Sequence, residues 1–345
     1  MKLADCSHRR KNILTGEWVL VSPHRTKRPW QGKQETVPKS SEPEYLDDCY
    51  LCPGNSRAGG MQNPEYDSVF VFVNDFSALQ NEIEPFEYNE TGLLEAKSER
   101  GICKVVCFSP KHNLTLAEME IKDIETVIKT WKKEYKDLGQ TPSVNYIQIF
   151  ENKGAIMGCS NPHPHCQIWA QESIPNEIFK ECGSQKEYFL KNARTLLSDY
   201  IKIEKQKNER IVYENENFIL LVPFWAVWPF ELMIVSKREI QNILQFTDKE
   251  NRDFAEIIKV TAIKYDNIFD IPFPYSAGMH QAPTDGNDYP EWHFHMHFYP
   301  PLLRSASIKK FMVGYELLAE PQRDITPEKT ASFLKQIDNI HYKMK

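Results

Sequence analysis

Apolar residues follow two different periods along the chain, and each period predicts one type of element. Short apolar runs rich in β-branched and aromatic residues, several alternating with polar residues, predict strands. These runs cover residues 68–74, 102–109, 143–151, 166–170, 218–223, 231–236 and 293–299. A period near 3.6 residues predicts helices over 116–138, 186–207, 247–269 and 327–342. Strand runs followed by long helices favour an α+β fold.

Cap signals and polar stretches mark the limits of these elements. Thr115, Thr247 and Thr326 stand at or just before helical stretches, where a hydroxyl can cap the first turn. Residues 33–66 and 81–100 are polar and poor in apolar side chains, so both predict surface loops or a long insertion. The first of these loops cannot order itself by burial alone, which makes a metal anchor physically sensible.

The same order of motifs occurs in both halves of the chain. FVNDFSAL and CKVVCFSPKHNLTLAEM are followed by a helix, a strand and a histidine-rich segment at 163–165. In the second half, FILLVPFWAVWPFELMIVSKREIQNIL leads through a helix to HFHMHFYPP at 293–301. This order suggests an internal duplication. Short strand and helix matches also arise by chance, so the pattern alone leaves coincidence open.

Composition excludes several classes of protein. The 345 residues are 41% hydrophobic and 26% charged, as in ordinary globular chains. A net charge of −6 gives no basic footprint for nucleic acid or an anionic membrane. No stretch approaches the roughly 18 apolar residues of a membrane span, and the N-terminus lacks an apolar signal core. We therefore expect a cytoplasmic protein.

Cysteine usage points to a metal. The chain has eight cysteines, and Cys49 and Cys52 form a C-x-x-C pair inside the first polar loop. In a reducing compartment such a pair is a metal or redox site more often than a disulfide. Two thiolates at this spacing suit zinc, which needs two further ligands to close a tetrahedral site.

The segment GCSNPHPHCQIWA at 158–170 concentrates the chemically active side chains. In an extended segment His163, His165 and Gln167 would share one side of a strand. One imidazole could attack phosphorus while its other nitrogen is oriented by a carbonyl, and His165 is our candidate for that role. Taken by itself, the H-P-H pair could equally pack in the interior or bind a metal.

This segment resembles the signature of the galactose-1-phosphate uridylyltransferase family, a branch of the histidine-triad (HIT) superfamily with the wider pattern H-x-H-x-H. The likeness continues through SPHRTKRPWQG at 22–32, FVNDFSAL at 72–79 and the block from residue 293 to residue 324. It implies an α+β fold of two HIT-like repeats, mainly antiparallel sheet flanked by helices. The domains would be residues 1–177, with the nucleophile and zinc, and 178–345, with a second metal.

The resemblance also implies an activity and its substrates. UDP-glucose would give its UMP group to His165, glucose 1-phosphate would leave, and galactose 1-phosphate would take UMP to form UDP-galactose. Gln167 would hold the phosphoryl oxygens of the uridylyl-histidine, and Ser160 would contact phosphate or ribose. The family forms homodimers whose active sites draw residues from both subunits, so we expect a homodimer.

Further substrate contacts carry over from the family residue by residue. The N-terminal half supplies Arg25, Arg28, Asn74, Asp75, Asn152, Gly158, Cys159, Ser160 and Gln167. The C-terminal half supplies Lys310, Phe311, Val313, Gly314, Tyr315, Glu316 and Gln322 for the hexose phosphate. Paired arginines suit phosphate oxygens, whereas Asn and Asp offer fixed groups to ribose or uracil. Without the resemblance, the arginines would read as a basic surface loop.

Two metal sites follow from the same resemblance. Zinc would be bound by Cys49, Cys52, His112 and His163. A second metal, iron or zinc, would be bound by Glu181, His280, His295 and His297. Three imidazoles and a carboxylate suit either metal, so the residues do not choose between them.

Two other functions remain as alternatives. One is a related enzyme, either a nucleotide hydrolase or a phosphorylase acting on ADP-glucose. Gln167 in place of a third histidine and the intact KKFMVGYE block argue against both. The other is a catalytically silent module that binds nucleotide sugars or zinc, which predicts loss of His165 or of the basic groups, and neither is lost.

Overall fold

One nine-stranded antiparallel sheet organises the protein. The structure is a computed structural model that describes residues 2–27, 42–303 and 305–345. The strands are β1 (His8–Lys11), β2 (Trp18–Val21), β3 (Phe70–Val73), β4 (Glu87–Glu90), β5 (Leu94–Lys97), β6 (Gly101–Cys107), β7 (Tyr146–Lys153), β8 (His165–Gln171), β9 (Ile211–Glu214), β10 (Phe218–Leu221), β11 (Leu232–Ser236), β12 (Tyr275–His280), β13 (His295–Tyr299) and β14 (Gln322–Arg323). The α-helices are α1 (Ile121–Gly139), α2 (Asn176–Asn192), α3 (Leu196–Lys207), α4 (Asp248–Phe269), α5 (Tyr315–Leu318) and α6 (Pro327–Gln336).

The strand order of the large sheet is nearly symmetric about its central pair of strands. It runs β3-β6-β8-β7-β12-β13-β11-β10-β9, and every neighbouring pair is antiparallel. Outward from the central β7–β12 pair, the strands β7, β8, β6 and β3 of one half correspond in order to β12, β13, β11 and β10 of the other, and β9 is one additional edge strand. The predicted α+β class with a mainly antiparallel sheet is confirmed. The domain boundary at 177/178 stays a prediction, and it falls in the first turn of α2.

The two faces of the sheet carry different residues. On β8 the buried side chains Cys166, Ile168 and Ala170 join the main core. Helices α1 and α4 supply much of the rest of that core from the same side. Because side chains alternate along a strand, His165 and Gln167 must point to the opposite face. The predicted chemistry is therefore placed on the face away from α1 and α4.

The strand register shows which residues of neighbouring strands share the sheet face of His165 and Gln167. Opposite Gln167 lie Val105 on β6 and Phe150 on β7. Phe150 is in turn opposite Gly278, which is opposite His297. The histidines of the second half thus lie on the same sheet face as those of the first.

Several predicted element limits are wrong. The helix expected over 186–207 is two helices, α2 and α3, separated where Ala193 adopts a left-handed backbone (φ 53°) and Thr195 caps the second helix. The helix expected over 116–138 begins only at Ile121, and the last one ends at Gln336 instead of 342. The polar stretch 81–100 contains the exposed hairpin β4–β5, because paired backbone groups do not require burial.

A small second sheet ties the two ends of the chain together. Its order is β1-β2-β14, with β14 parallel to β2. The buried Arg10 donates to Glu328 at the start of α6 at 2.8 and 3.0 Å, which holds the N-terminal strands against the C-terminal helix. Within the described residues, none of the helices has the length and apolar character that crossing a membrane requires.

Candidate active site

A cavity of about 450 Å³ opens on the histidine-bearing face of β8. Its walls are Tyr50, Leu51, Ser56, Arg57, Ala58, Phe72, Asn74, Asp75, Phe76, Val105, Ser160, His165 and Gln167. A smaller cavity of about 30 Å³ adjoins it at His165 and is lined also by Asn152, Gly158 and Cys159. Every residue predicted to contact substrate from 74 to 167 therefore lines one of the two.

The ring of His165 is set up as a nucleophile. Its Nδ1 lies 2.7 Å from the carbonyl oxygen of His163. A carbonyl only accepts, so Nδ1 carries the proton and Nε2 keeps its lone pair. Burial lowers the pKa of His165, against the opposing effect of that carbonyl. The ring is therefore neutral near pH 7 and can attack an electrophile through Nε2.

Two amides and a hydroxyl surround this nitrogen. Asn152 accepts a hydrogen bond from Ser276 at 2.7 Å through its Oδ1, so its NH₂ group is left for a ligand. Ser160 lies in the turn before β8, with its Oγ 3.4 Å from the hydroxyl of Tyr50. Gly158 permits that turn with φ of 80°. These donors suit the oxygens of a phosphoryl group.

The residues that wall the far end of the cavity were not predicted from the sequence. Arg57 is almost fully buried, lies 3.9 Å from the centroid of the Phe72 ring, and has its Nε 3.7 Å from Asp75 Oδ2. Its Nε and Nη1 have no hydrogen-bond acceptor among the described residues. Little in the sequence indicates that Arg57 lines a cavity. It lies in a polar loop, five residues after Cys52, where a charged side chain is usually exposed.

An aromatic column connects this end of the cavity to the first cysteine pair. Phe72 stacks on Phe70 at 5.4 Å, and Phe70 stacks on Tyr66 at 4.9 Å. The Tyr66 hydroxyl donates to the carbonyl of Leu51 at 2.5 Å. The loop that carries the C-x-x-C pair is thereby packed against β3, the strand that directly precedes Asn74.

Cys49, Cys52, His112 and His163 converge in the interior, and their ligand atoms all lie within 4.8 Å of one another. His163 Nδ1 is 3.9 Å from Cys49 Sγ and 3.5 Å from Cys52 Sγ, and His112 Nδ1 is 3.8 Å from Cys52 Sγ. Ligands at the corners of a tetrahedral zinc site are about 3.5 Å apart for one sulfur and one nitrogen. The group fits a tetrahedral metal.

Surrounding groups hold His163 in the state that a metal ligand requires. Burial lowers the pKa of His163 to about 4, so its ring is neutral. Its Nε2 donates to the carbonyl of Ser109 at 2.8 Å, which leaves Nδ1 facing the thiols. Asn161 accepts from the backbone N–H of His163 at 2.9 Å and lies 3.4 Å from Cys49 Sγ. His163 lies two residues before His165 on the chain, so the cluster that holds His163 also fixes the position of His165.

A second cluster is formed by Glu181 of α2 with His280, His295 and His297, again with ligand atoms within 4.8 Å of one another. Glu181 lies 2.9 Å from His280 and 3.2 Å from His295. Neither ring nitrogen of the buried His297 has a hydrogen-bond partner among the described residues. Unpaired buried nitrogens are costly, so these residues fit a bound metal.

The two halves use equivalent histidines differently. His295 Nδ1 donates to the carbonyl of His293 at 2.8 Å, just as His165 does to His163. His293 donates through Nε2 to Ser236 at 2.7 Å, as His163 does to Ser109. His293 contacts Thr195 instead of cysteines, at 2.9 Å, so it stays outside the second cluster.

The remaining predicted contacts form a separate group at the small sheet. Lys310 Nζ lies 3.1 Å from Glu316 and 2.5 Å from the carbonyl of Gln322. Arg25 pairs with Asp324 at 3.3 Å. Phe311, Val313 and Tyr315 expose half or more of their surface. Among the described residues, no member of this group lines either cavity at His165.

Arg28 is the one predicted contact that lies outside the described residues. Gly314 has a positive φ of 48° and precedes the short helix α5, which presents Tyr315 and Glu316. The predicted substrate contacts thus form two separate sets within one chain.

Comparison with known proteins gives the same family for both halves. The model "Galactose-1-phosphate uridyl transferase, N-terminal domain" matches residues 1–175, and its C-terminal counterpart matches residues 181–345. The chain is 48% identical to a galactose-1-phosphate uridylyltransferase of Hypocrea jecorina, over 99% of this chain and 98% of the relative. It is 49% identical to that of Haemophilus influenzae, over 97% and 96%.

A solved structure supports the same relationship. A uridylyltransferase structure superposes with a TM-score of 0.74 at 28% identity and covers 95% of this chain and 97% of that one. The likeness therefore extends over the cavity, both metal-ligand clusters and the small sheet.

Proposed function

The chain belongs to the galactose-1-phosphate uridylyltransferase family, and from that membership we propose that His165 carries a UMP group between two hexose 1-phosphates. The enzyme is a nucleotidyltransferase that converts UDP-glucose and galactose 1-phosphate into glucose 1-phosphate and UDP-galactose. The observation that carries the role of His165 is its neutral ring, with Nδ1–H bound to a carbonyl and Nε2 directed to the cavity.

The reaction divides into two displacements at the same phosphorus. Nε2 of His165 attacks the α-phosphorus of UDP-glucose, the N–P bond forms, and the P–O bond to glucose 1-phosphate breaks. A phosphate oxygen of galactose 1-phosphate then attacks that phosphorus, and the N–P bond breaks. Imidazole is both nucleophile and leaving group, so one residue serves both steps.

Positioning and charge neutralisation supply the catalysis. Phosphoryl-type transfer depends mainly on these two effects. Gln167, Asn152 and Ser160 offer N–H and O–H donors beside the attacking nitrogen. At the other end of the cavity Asn74 and Asp75 are suited to ribose or uracil.

The cations and the hexose-binding residues come from a second copy of the chain in this proposal. Arg25, Lys310 and Glu316 are grouped away from His165, and neighbouring apolar side chains are exposed. A homodimer in which this group meets the partner's cavity would complete the site. The partners are then the nucleotide sugar, the hexose phosphates and a second subunit, with no nucleic acid or membrane.

We assign zinc to the Cys49, Cys52, His112 and His163 cluster. Bound zinc would supply a structural cross-link that orders the polar loop beside the cavity. Iron or zinc would occupy the Glu181, His280, His295 and His297 cluster, where it would compensate buried imidazoles and a carboxylate. All eight cysteines are free, which suits a reducing compartment, and we place the enzyme in the cytoplasm.

Intact mass after incubation with UDP-glucose alone tests this function. The expected result is a UMP-sized gain located on His165 by peptide mapping, with an equal amount of glucose 1-phosphate released. Adding galactose 1-phosphate should remove the added mass and yield UDP-galactose.

The His165→Ala variant is the matched negative sample and should stay unmodified. A labelled covalent adduct on that variant would disprove the role of His165. Free UMP from the native chain without transfer would indicate a hydrolase, and neither product would indicate a binding module.

A further inference from the structure

Three side chains of β8 follow one another on the sheet face that carries the cavity: His165, Gln167 and Trp169. The indole Nε1 of Trp169 lies 3.0 Å from Oε1 of Gln167 and donates to it. The two residues are separated by one position, as expected for neighbours on one face of a strand. Trp169 thus contacts the side chain next to the nucleophile, although it does not itself line either cavity in the described part of the chain.

This bond decides which end of the Gln167 carboxamide faces the ligand. An indole nitrogen can only donate, so it must be met by the amide oxygen and not by the NH₂ group. The NH₂ group is then directed away from Trp169. Phosphoryl oxygens only accept, so a reversed amide would set oxygen against oxygen. The terminal torsion of glutamine is broad and roughly two-fold, and therefore does not select the orientation by itself.

Packing keeps the indole in place for this task. Trp169 meets Phe150 edge to face, with ring centroids 5.7 Å apart at 76°. Its cross-strand neighbour Gln148 donates to the carbonyl of Met279 at 2.9 Å, and its Oε1 accepts from the Tyr146 hydroxyl at 3.4 Å, so the indole N–H donates to Gln167 instead. The orientation of Gln167 is fixed before any substrate arrives.

The second half of the chain repeats the arrangement with other side chains. His297 occupies the position of Gln167 in the motif, and Tyr299 occupies that of Trp169. The rings of His297 and Tyr299 stack at 5.3 Å and 13°. In both halves an aromatic residue two positions later on the strand supports the functional side chain.

We propose that Trp169 is a positioning residue for uridylyl transfer, whose N–H holds the Gln167 amide with its NH₂ group toward the phosphoryl group at His165. The inference rests on the proposed role of His165 in carrying UMP. It adds a residue that acts through Gln167 without touching the substrate. Preorganised donors of this kind lower the barrier because they need no rearrangement as charge develops.

The test is the rate of adduct formation at saturating UDP-glucose, followed by rapid quench and mass measurement. Trp169→Phe keeps an aromatic ring against Phe150 and removes the donor. A neutral hydrogen bond contributes about 1 kcal/mol, so we expect the rate constant to fall roughly fivefold. The KM for UDP-glucose should change less than about twofold, because the cavity wall is unaltered.

Two controls separate orientation from packing. Phe150→Leu weakens the same contact but keeps the N–H, so it should slow the reaction clearly less than Trp169→Phe does. In a Gln167→Ala background Trp169→Phe should have no further effect, because there is no amide to orient. Should Trp169→Phe fold poorly, benzothienylalanine at position 169 replaces N–H by sulfur in almost the same shape.

Each outcome bears on one hypothesis. A native rate for both donor-free variants would overturn the inference, as would equal slowing by Phe150→Leu or full additivity with Gln167→Ala. If the native chain itself forms no adduct, the proposed role of His165 fails instead.

Discussion

At the scale of single residues, the site depends on hydrogen bonds that fix which atom faces the ligand. The carbonyl of His163 selects the tautomer of His165, and Ser276 selects the orientation of Asn152. Arg57 differs from these, because two of its nitrogens are buried without an acceptor in the described part of the chain, and Oδ2 of Asp75 is 3.7 Å from its Nε. An unpaired buried donor costs about 1–3 kcal/mol, which a bound nucleoside could recover by drawing Asp75 closer.

Arg57→Met should therefore weaken the binding of UMP by about tenfold, equal to about 1.4 kcal/mol. The physical reason is loss of the cation that faces Asp75 and covers Phe72. Isothermal titration calorimetry with UMP measures this change in affinity. Arg238→Met, which breaks an ion pair with Glu250 outside the cavity, is the control and should bind UMP normally. Equal affinity in the two variants would contradict the prediction.

At the scale of elements, the loop between Cys49 and Asn63 takes its shape from the metal-ligand cluster and a few amides. Asn63 donates to the carbonyls of Tyr50 and Cys52 at 3.0 and 2.9 Å. The same loop presents Tyr50, Leu51 and Arg57 to the cavity. A polar loop with so little apolar burial needs such an anchor.

Cys52→Ser should lower bound zinc at least about tenfold and weaken UMP binding with it, because the loop loses a thiolate ligand. Metal analysis and titration with UMP on the same sample measure both effects. Cys6→Ser changes an exposed cysteine and is the control. Undiminished zinc in Cys52→Ser would show that the cluster does not bind it in the proposed way.

The junction of β7 and β12 carries a buried acid that responds to pH. Burial raises the pKa of Glu151 to about 7, opposed by Lys153 and by a 2.9 Å hydrogen bond from Tyr275. The folded state therefore keeps a proton that the unfolded chain releases near pH 4.5. Since the unfolded state then binds fewer protons, stability falls as pH rises from about 4.5 to about 7.

Glu151→Gln should remove this decline and gain about 2 to 3 kcal/mol relative to the native chain on going from pH 4.5 to pH 7.5. Urea unfolding at both pH values, at equal metal content, gives the difference. Burial also raises the pKa of Glu231 to about 7, and this residue is present in both proteins. Its contribution to the pH dependence is therefore the same in both and cancels in the difference. The same pH dependence in both proteins would refute the assignment.

At the scale of the whole molecule, the two halves share one sheet but divide the chemistry. The first half places His165 in the cavity, and the second half holds Glu181 and three histidines at the equivalent sheet position. Lys310, which we propose as a hexose phosphate contact, packs against the small sheet that joins the ends of the chain. One chain therefore carries both parts of the proposed site without bringing them together.

Mixing two inactive variants tests whether two chains share a site. His165→Ala and Lys310→Ala should each be inactive, and random co-assembly of equal amounts should restore about a quarter of native activity. This follows because half of the dimers would be mixed and each would contain one intact site of two. Coexpression followed by transferase assay measures it. No recovery beyond either variant alone would place the whole site within one chain.

The sequence by itself determined the local features. Alternation of side chains put His165 and Gln167 on one face of a strand, and the C-x-x-C pair identified half of a candidate metal-ligand cluster, because both depend on residues close together in the chain. The remaining ligands and substrate contacts needed the family resemblance, since their positions far apart in the chain do not show that they meet.

Only the tertiary structure decided how these pieces combine. The pairing of β7 with β12, the break between α2 and α3 and the parallel return of β14 to β2 depend on contacts between distant segments. The same holds for the contact of Arg57 with Phe72, because the loop that carries the C-x-x-C pair meets the sheet only in the folded chain. The Trp169 to Gln167 bond joins near neighbours, yet cross-strand packing by Phe150 fixes its geometry. A periodic pattern specifies which face a side chain takes, but register and packing determine what it meets there.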